Sequence, residues 1–130
     1  MKSMNDAACE IKSQALFDEV LEMVGFLQTS FQEERAAHQV EEGLWRRVLK
    51  LGGYAFGAYF ALFGDGDAGK QIVLEDGREV RRLDKLHRRE YQSVFGPFEL
   101  ERAVYGTREG QKIEHVPLDE RLQLPQGKHS

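Results

Sequence analysis

Cysteine is almost missing from this chain: Cys9 is the single one in 130 residues. It has no internal disulfide partner, it excludes a zinc site built from cysteines, and it fits a reducing, cytoplasmic setting. The N-terminal MKSMNDAACEIKSQ contains no apolar stretch of the kind that forms a secretory signal. Long hydrophobic runs are missing too. LGGYAFGAYFALFG, at 51–64, carries no charge, but Lys50 and Asp65 bracket it well short of the ~20 apolar residues a spanning helix needs. Nor is there an excess of positive charge: 18 Lys and Arg stand against 22 Asp and Glu, a net −4, so the chain as a whole does not attract a polyanion. His38, His87, His115 and His129 are not at metal-ligand spacing. No serine has a G-x-S-x-G setting, and Asp119 and Glu120 are adjacent, which in an extended chain puts them on opposite faces. No catalytic residue, metal or cofactor is therefore expected, and the chain is not expected to be an enzyme.

Apolar residues make up 41% of the chain, enough for a packed core in one small domain or a large piece of a bigger one. Residues 1–63 read as helical. Leu16, Val20, Val24, Leu27 and Phe31 recur at spacings of three and four, as do Val40, Leu44, Val48, Leu51, Ala55, Ala58 and Leu62. Ser30 with Glu33 matches a capping box and predicts a second helix starting there. No Pro or Gly cluster enforces a break, so a long bent helix and a helical hairpin both stay open. Beyond a Gly/Asp loop at 64–70 the period changes. QIVLE and REVRRL flank Asp76-Gly77, a two-residue hairpin turn signal. YQSVF (91–95) and FELERAVY (98–105) flank Gly96-Pro97 as a second hairpin, with Phe98, Leu100 and Val104 on one face. IEHVPLDERLQLP is expected to be extended, Pro117 arguing against a central strand. The predicted class is α+β: a long helix or helical hairpin, then a small antiparallel β module of two hairpins over 71–130 with an extended tail.

The loop GDGDAGKQ (64–71) imitates a phosphate-binding loop. Such loops follow a strand and open a helix, so that backbone N–H groups point at the anion. Here a helix precedes and a strand follows, Gln71 replaces the magnesium-holding hydroxyl, and Asp65 and Asp67 place negative charge where phosphates would lie. The better reading is a helix stop with Gly64 as its C-cap. Nucleotide binding and membrane contact are not expected.

Two stretches suggest partners. Gly53, Gly57 and Ala61 lie at i, i+4 and i+8, a small-residue face that lets another backbone approach, with Tyr54 and Phe60 among its flanking aromatics; the alternatives are packing within the chain and a subunit interface. REVRRLDKLHRR (78–89) carries Arg78, Arg81, Arg82, Lys85, Arg88 and Arg89 against Glu79 and Asp84, a local surplus of +4. That charge can neutralise DNA phosphates without regard to base sequence; the alternative is a solvated strand face.

The C-terminal half resembles bacterial insertion-sequence transposases of the ISKra group. The matching pieces are Arg88-Arg89 with Tyr91, Ser93-Val94-Phe95-Gly96, Glu101-Arg102 with Tyr105, REGQKIE, and Pro117-Leu118-Asp119. The likeness covers 87–125 and runs more loosely back through 74–87. It implies a chain that belongs to a DNA-transposing system, with the metal-holding acidic residues of the family's RNase-H-like domain lying downstream of the PLD stretch and none falling on a position here. It therefore implies an N-terminal fragment, truncated before the catalytic domain. In related transposases the turn after the Tyr105 strand can hold a C-x-x-C pair; here it is GTREGQK, so that hairpin must stand without metal. The expected function is a non-catalytic part of a transposase that contributes DNA-backbone contacts, subunit contacts or both. The alternative is a helical oligomerisation module without DNA affinity, able to join intact transposase as an inhibitory product.

Overall fold

The computed structural model describes residues 4–107 and 113–125. The chain is α+β, with the helices first and antiparallel sheets after them. It divides into two compact units at Leu62/Phe63.

In the first unit α1 (Met4–Gln32) and α2 (Ala37–Phe63) are separate helices, not one bent rod. The break lies at 33–36, later than the Ser30–Glu33 pair suggested. Ser30 instead sits buried in the last turn of α1, where its hydroxyl accepts a long 3.4 Å hydrogen bond from Arg35. Glu34 takes a positive φ of 54°, which reverses the chain without a glycine. The N-terminus of α2 is set by Gln39, whose side chain accepts the Ala36 backbone N–H at 3.1 Å, half of a capping box.

The helices run antiparallel as a hairpin. Glu19 of α1 reaches Lys50 of α2 at 3.3 Å and Arg47 at 3.6 Å. Nearer the turn, the Phe26 ring lies under the Arg47 guanidinium, 4.7 Å from its centroid, and against Gly43, where any Cβ would collide with it. The inter-helix face therefore includes an ion-pair cluster and a cation–π contact, beside half-buried Leu16, Met23, Leu44 and Leu49.

The second unit contains the apolar core. β1 (Gln71–Val73) pairs with β2 (Glu79–Arg82), β2 with β5 (Tyr105–Gly106), and β5 with β6 (Ile113–His115), giving a sheet of order β1-β2-β5-β6. β3 (His87–Ser93) and β4 (Gly96–Arg102) form a separate two-stranded sheet. Both expected hairpins are present, but the second turns at Val94-Phe95, two residues before the expected Gly96-Pro97, which open β4 and pair with Ser93 and Gln92. The first turn holds Glu75, Asp76 and Gly77 between Leu74 and Arg78 rather than two residues, because only Gly77 has a positive φ while Asp76 accepts the Arg78 N–H. In the second, Ser93 Oγ donates to the Gly96 carbonyl and accepts the Phe95 N–H, bridging the tight Val94-Phe95 turn.

The run FELERAVY divides between the sheets. Ala103 and Val104, 1% and 0% exposed, leave β4 and lead into β5. Val80, Ala103 and Tyr105 form the core, with Ile72 and Leu74 against it. The segment expected to be extended differs from that expectation: Ile113–His115 is strand, and Pro117–Leu122 is a third helix, α3. Pro117 occupies the first turn of α3, where a missing N–H costs nothing, and Asp119 and Glu120 follow where the helix dipole favours acid. The residues 108–112 of the GTREGQK turn lie outside the described residues.

Candidate interaction surfaces

The loop 64–70 is occupied by its own side chains. Gly64 stops α2 with a φ of 59°. Asp65 accepts the Asp67 N–H at 2.9 Å, and Asp67 accepts the Gly69 N–H at 2.8 Å. The fully buried Tyr105 completes the arrangement: its hydroxyl accepts the Ala68 N–H at 3.0 Å and donates to the Gly69 carbonyl. Burial pushes the Tyr105 phenol up, and the Gly69 N–H, with Arg82 beside it, holds Asp67 below the usual carboxylate range. The N–H groups of Asp67, Ala68 and Gly69, which a phosphate would need, are spent on internal acceptors. This loop fixes Tyr105 in the core.

The six cations of the basic run are dispersed. Arg78 pairs with Asp76 at 2.7 Å and Glu114 at 3.4 Å, and Arg82 pairs with Asp67. Arg88 lies 3.6 Å from Glu101, its cross-strand partner, and 3.9 Å from Glu99. Arg89 turns inward, its side chain 8% exposed, and donates to Asp119 at 3.0 Å and to the Pro125 carbonyl. Arg81 and Lys85 are exposed and form no ion pair with another described residue. Arg81 shares a shallow groove of about 520 Å³ with Lys70 and Arg82. Lys70 and Arg81 are the exposed cations of that groove, which Asp84 also lines; Lys85 is exposed but does not line it, and Lys70 lies outside the run that sequence singled out.

Arg89 belongs to a cluster that sequence reading missed. Asp119 Oδ2 accepts hydrogen bonds from Arg89 and from Arg102, the latter at 2.7 Å, while Arg102 also donates to the His87 carbonyl at 3.3 Å. Asp119 Oδ1 is buried with no hydrogen-bond partner. Beside it His115 and Glu120 lie 3.1 Å apart. These groups line a groove of about 1160 Å³ in which carboxylates outnumber guanidinium groups. Its charge repels a phosphate backbone, and the cluster's evident work is to fasten α3 to the β3–β4 sheet. The signal available beforehand was the Asp two residues after Pro117, the first turn of a helix.

Of the α1 stripe that periodicity drew, Val20, Val24, Leu27 and Phe31 are exposed and Leu16 is half-buried, and the exposed apolar face also takes in Phe17 and Leu21, which that stripe did not include. Phe17, Val20, Leu21, Val24, Leu27 and Phe31 of α1 are 65, 42, 70, 46, 42 and 84% exposed. On α2, Trp45 is 61% and Val48 44% exposed. Of the small-residue face, Gly57 is buried, while Gly53, Tyr54, Phe60 and Ala61 are half-buried, Phe60 stacking on Phe56 with ring centroids 4.4 Å apart. The most exposed apolar side chains of α2 thus lie off that face. Among the described residues no apolar side chain of the helical unit is fully buried; what the unit buries is Glu19, Ser30 and Gly57.

Among the described residues no three His, Cys, Asp or Glu side chains come together as a metal site, and no helix is long and apolar enough to cross a membrane. Against known proteins, no family model, no curated protein and no solved structure matches this chain.

Proposed function

We propose that the chain is a non-catalytic interaction module working in the cytoplasm as the N-terminal part of a DNA-transposing assembly, with subunit contact as its main task. The observation that carries the contact role is the exposed stripe on α1, six apolar side chains on one helix in a unit that has no fully buried apolar side chain among its described residues. A helical hairpin that turns Glu19 and Ser30 inward and Phe17, Leu21 and Phe31 outward holds its hydrophobic surface for a partner. The assignment to transposition rests on the likeness over 87–125 alone.

Sedimentation equilibrium tests the contact role. The mass should rise with concentration above that of a 14.9 kDa monomer, and in a mixture with a full-length transposase of this kind the two should cosediment. A monomer mass at all concentrations, with no cosedimentation, would overturn it.

DNA contact is the second task, supported by Lys70 and Arg81, exposed on one groove, with Lys85 as a further exposed cation. Three phosphate contacts give a slope of about −3 in log K against log salt, a weak interaction confined to low salt. Changing these three residues to Glu should abolish a mobility shift on any duplex, whereas Arg89→Ala should affect folding rather than binding. An unchanged shift in the triple variant would rule this patch out.

A further inference from the structure

The exposed stripe has a heptad pattern. Phe17, Val24 and Phe31 are seven residues apart, with Val20 and Leu27 between them at the alternate seam position and Leu21 alongside. This is the a/d order of a coiled-coil seam, carried on solvent-exposed side chains. We infer that α1 pairs with α1 of a second copy of this chain, antiparallel, about a two-fold axis near Val24. The inference rests on the subunit-contact reading and names its partner.

Three observations support a second copy in that direction. The seam is nearly symmetric about its middle: aromatic residues stand at both ends and Val24 at the centre, so reversing it puts Phe17 of one copy near Phe31 of the other. An isologous interface requires such self-complementarity. Charge does not oppose the pairing: the positions that flank the seam, Leu21, Met23, Gln28 and Ser30, are uncharged, while Asp18 and Glu22 fall at outward-facing positions of the heptad, so no like charges are brought together when two copies meet. The area also suffices. Weighting ordinary side-chain areas (about 150–250 Å² for an aromatic) by the observed exposures gives about 700 Å² of apolar surface, close to the ~800 Å² per partner of a standard interface. Gly25, beside the axis, has no atom within 4 Å of where its Cβ would stand, so nothing in the hairpin fills the space it leaves for an approaching helix.

The test uses the whole chain with Cys9→Ser. Leu21→Glu should raise the dimer dissociation constant at least about 100-fold, since both copies lose a buried leucine. Leu21 is 70% exposed, so the hairpin does not need it; Phe31→Lys, at an 84% exposed position, is the independent second variant. Far-UV circular dichroism should be unchanged in both. Spin labels on Gln14→Cys should lie roughly 30 Å apart, twenty residues of helical rise, in the antiparallel dimer. Labels about 10 Å apart would mean parallel pairing and would overturn the inference. A dimer that survives Leu21→Glu and Phe31→Lys would keep the contact reading and sink this surface. A monomer at all concentrations whose seam amides are protected from exchange would hand the seam to another segment of the chain; a monomer with unprotected seam amides would remove the interface altogether.

Discussion

At the scale of single residues, the loop 64–70 gives the sharpest expectations. Tyr105→Phe removes the partner of the Ala68 N–H and the Gly69 carbonyl, and because Ala68 and Gly69 are exposed, water can replace the hydroxyl. The expected loss is about 0.5–1.5 kcal/mol, read from the urea midpoint of the β unit. Gly66 and Gly77 make a paired comparison. Both have positive φ, but a Cβ on Gly66 would stand 2.8 Å from Leu118 Cβ and 2.9 Å from its backbone nitrogen, while one on Gly77 meets nothing within 4 Å. Gly66→Ala should therefore destabilise clearly more than Gly77→Ala; equal effects would show that Leu118 can move aside. Asp67 sets a pH dependence. Its folded pKa lies below its unfolded one, so its contribution is complete above about pH 4 and is lost as pH falls through the folded value. Asp67→Asn should flatten the fall in stability between about pH 5 and pH 2. Asp67 is 37% exposed, so solvent screening keeps this effect small.

At the scale of elements, α3 hangs on one carboxylate. Asp119→Ala strands Arg89 and Arg102, whose side chains are 8% and 13% exposed, and should cost about 3 kcal/mol, with hydrogen exchange at 117–122 rising first. Asp119→Asn, which keeps an acceptor, should lose less. The elements also show what could be read in advance. Gly77 in the first turn and Gly96 just after the second have positive φ, a backbone few residues other than glycine adopt, so both hairpins were legible, the second with its turn read two residues late. α3 was not, because Pro117 was weighed against a strand when a proline followed at once by acids is equally a helix start. The Ser30–Glu33 spacing puts the start of α2 six residues too early, because its box is Ala36 with Gln39 and the chain reverses at Glu34 in a left-handed conformation, which no sequence rule marks for glutamate. Periodicity found the α1 stripe but not its surroundings, since spacing fixes which residues share a face and says nothing of what covers it. The basic run was legible as charge, and most of its neutralisation was not: besides Asp76, two residues from Arg78, the carboxylates that meet Arg78, Arg82 and Arg89 come from 114, 67 and 119, distant in sequence.

At the scale of the whole molecule, the two units have different resources. The β unit buries Val80, Leu83, Leu100, Ala103, Val104, Tyr105 and Leu118, and the helical unit has no comparable set among the described residues. Its melting should therefore follow mass action. Diluting the protein is expected to lower the helical transition, followed by circular dichroism at 222 nm, and to leave unmoved the transition of the β unit, followed by hydrogen exchange at Val80 and Tyr105, because association stabilises the former alone. Two transitions that both ignore concentration would separate helix stability from assembly.

The passage of one uninterrupted run from β4 through Ala103 and Val104 into β5 has a topological result. A proteolytic nick at Asp76-Gly77 opens one turn and leaves every strand whole. A nick between Ala103 and Val104 severs the thread on which both sheets are strung, so that neither half inherits a complete fold.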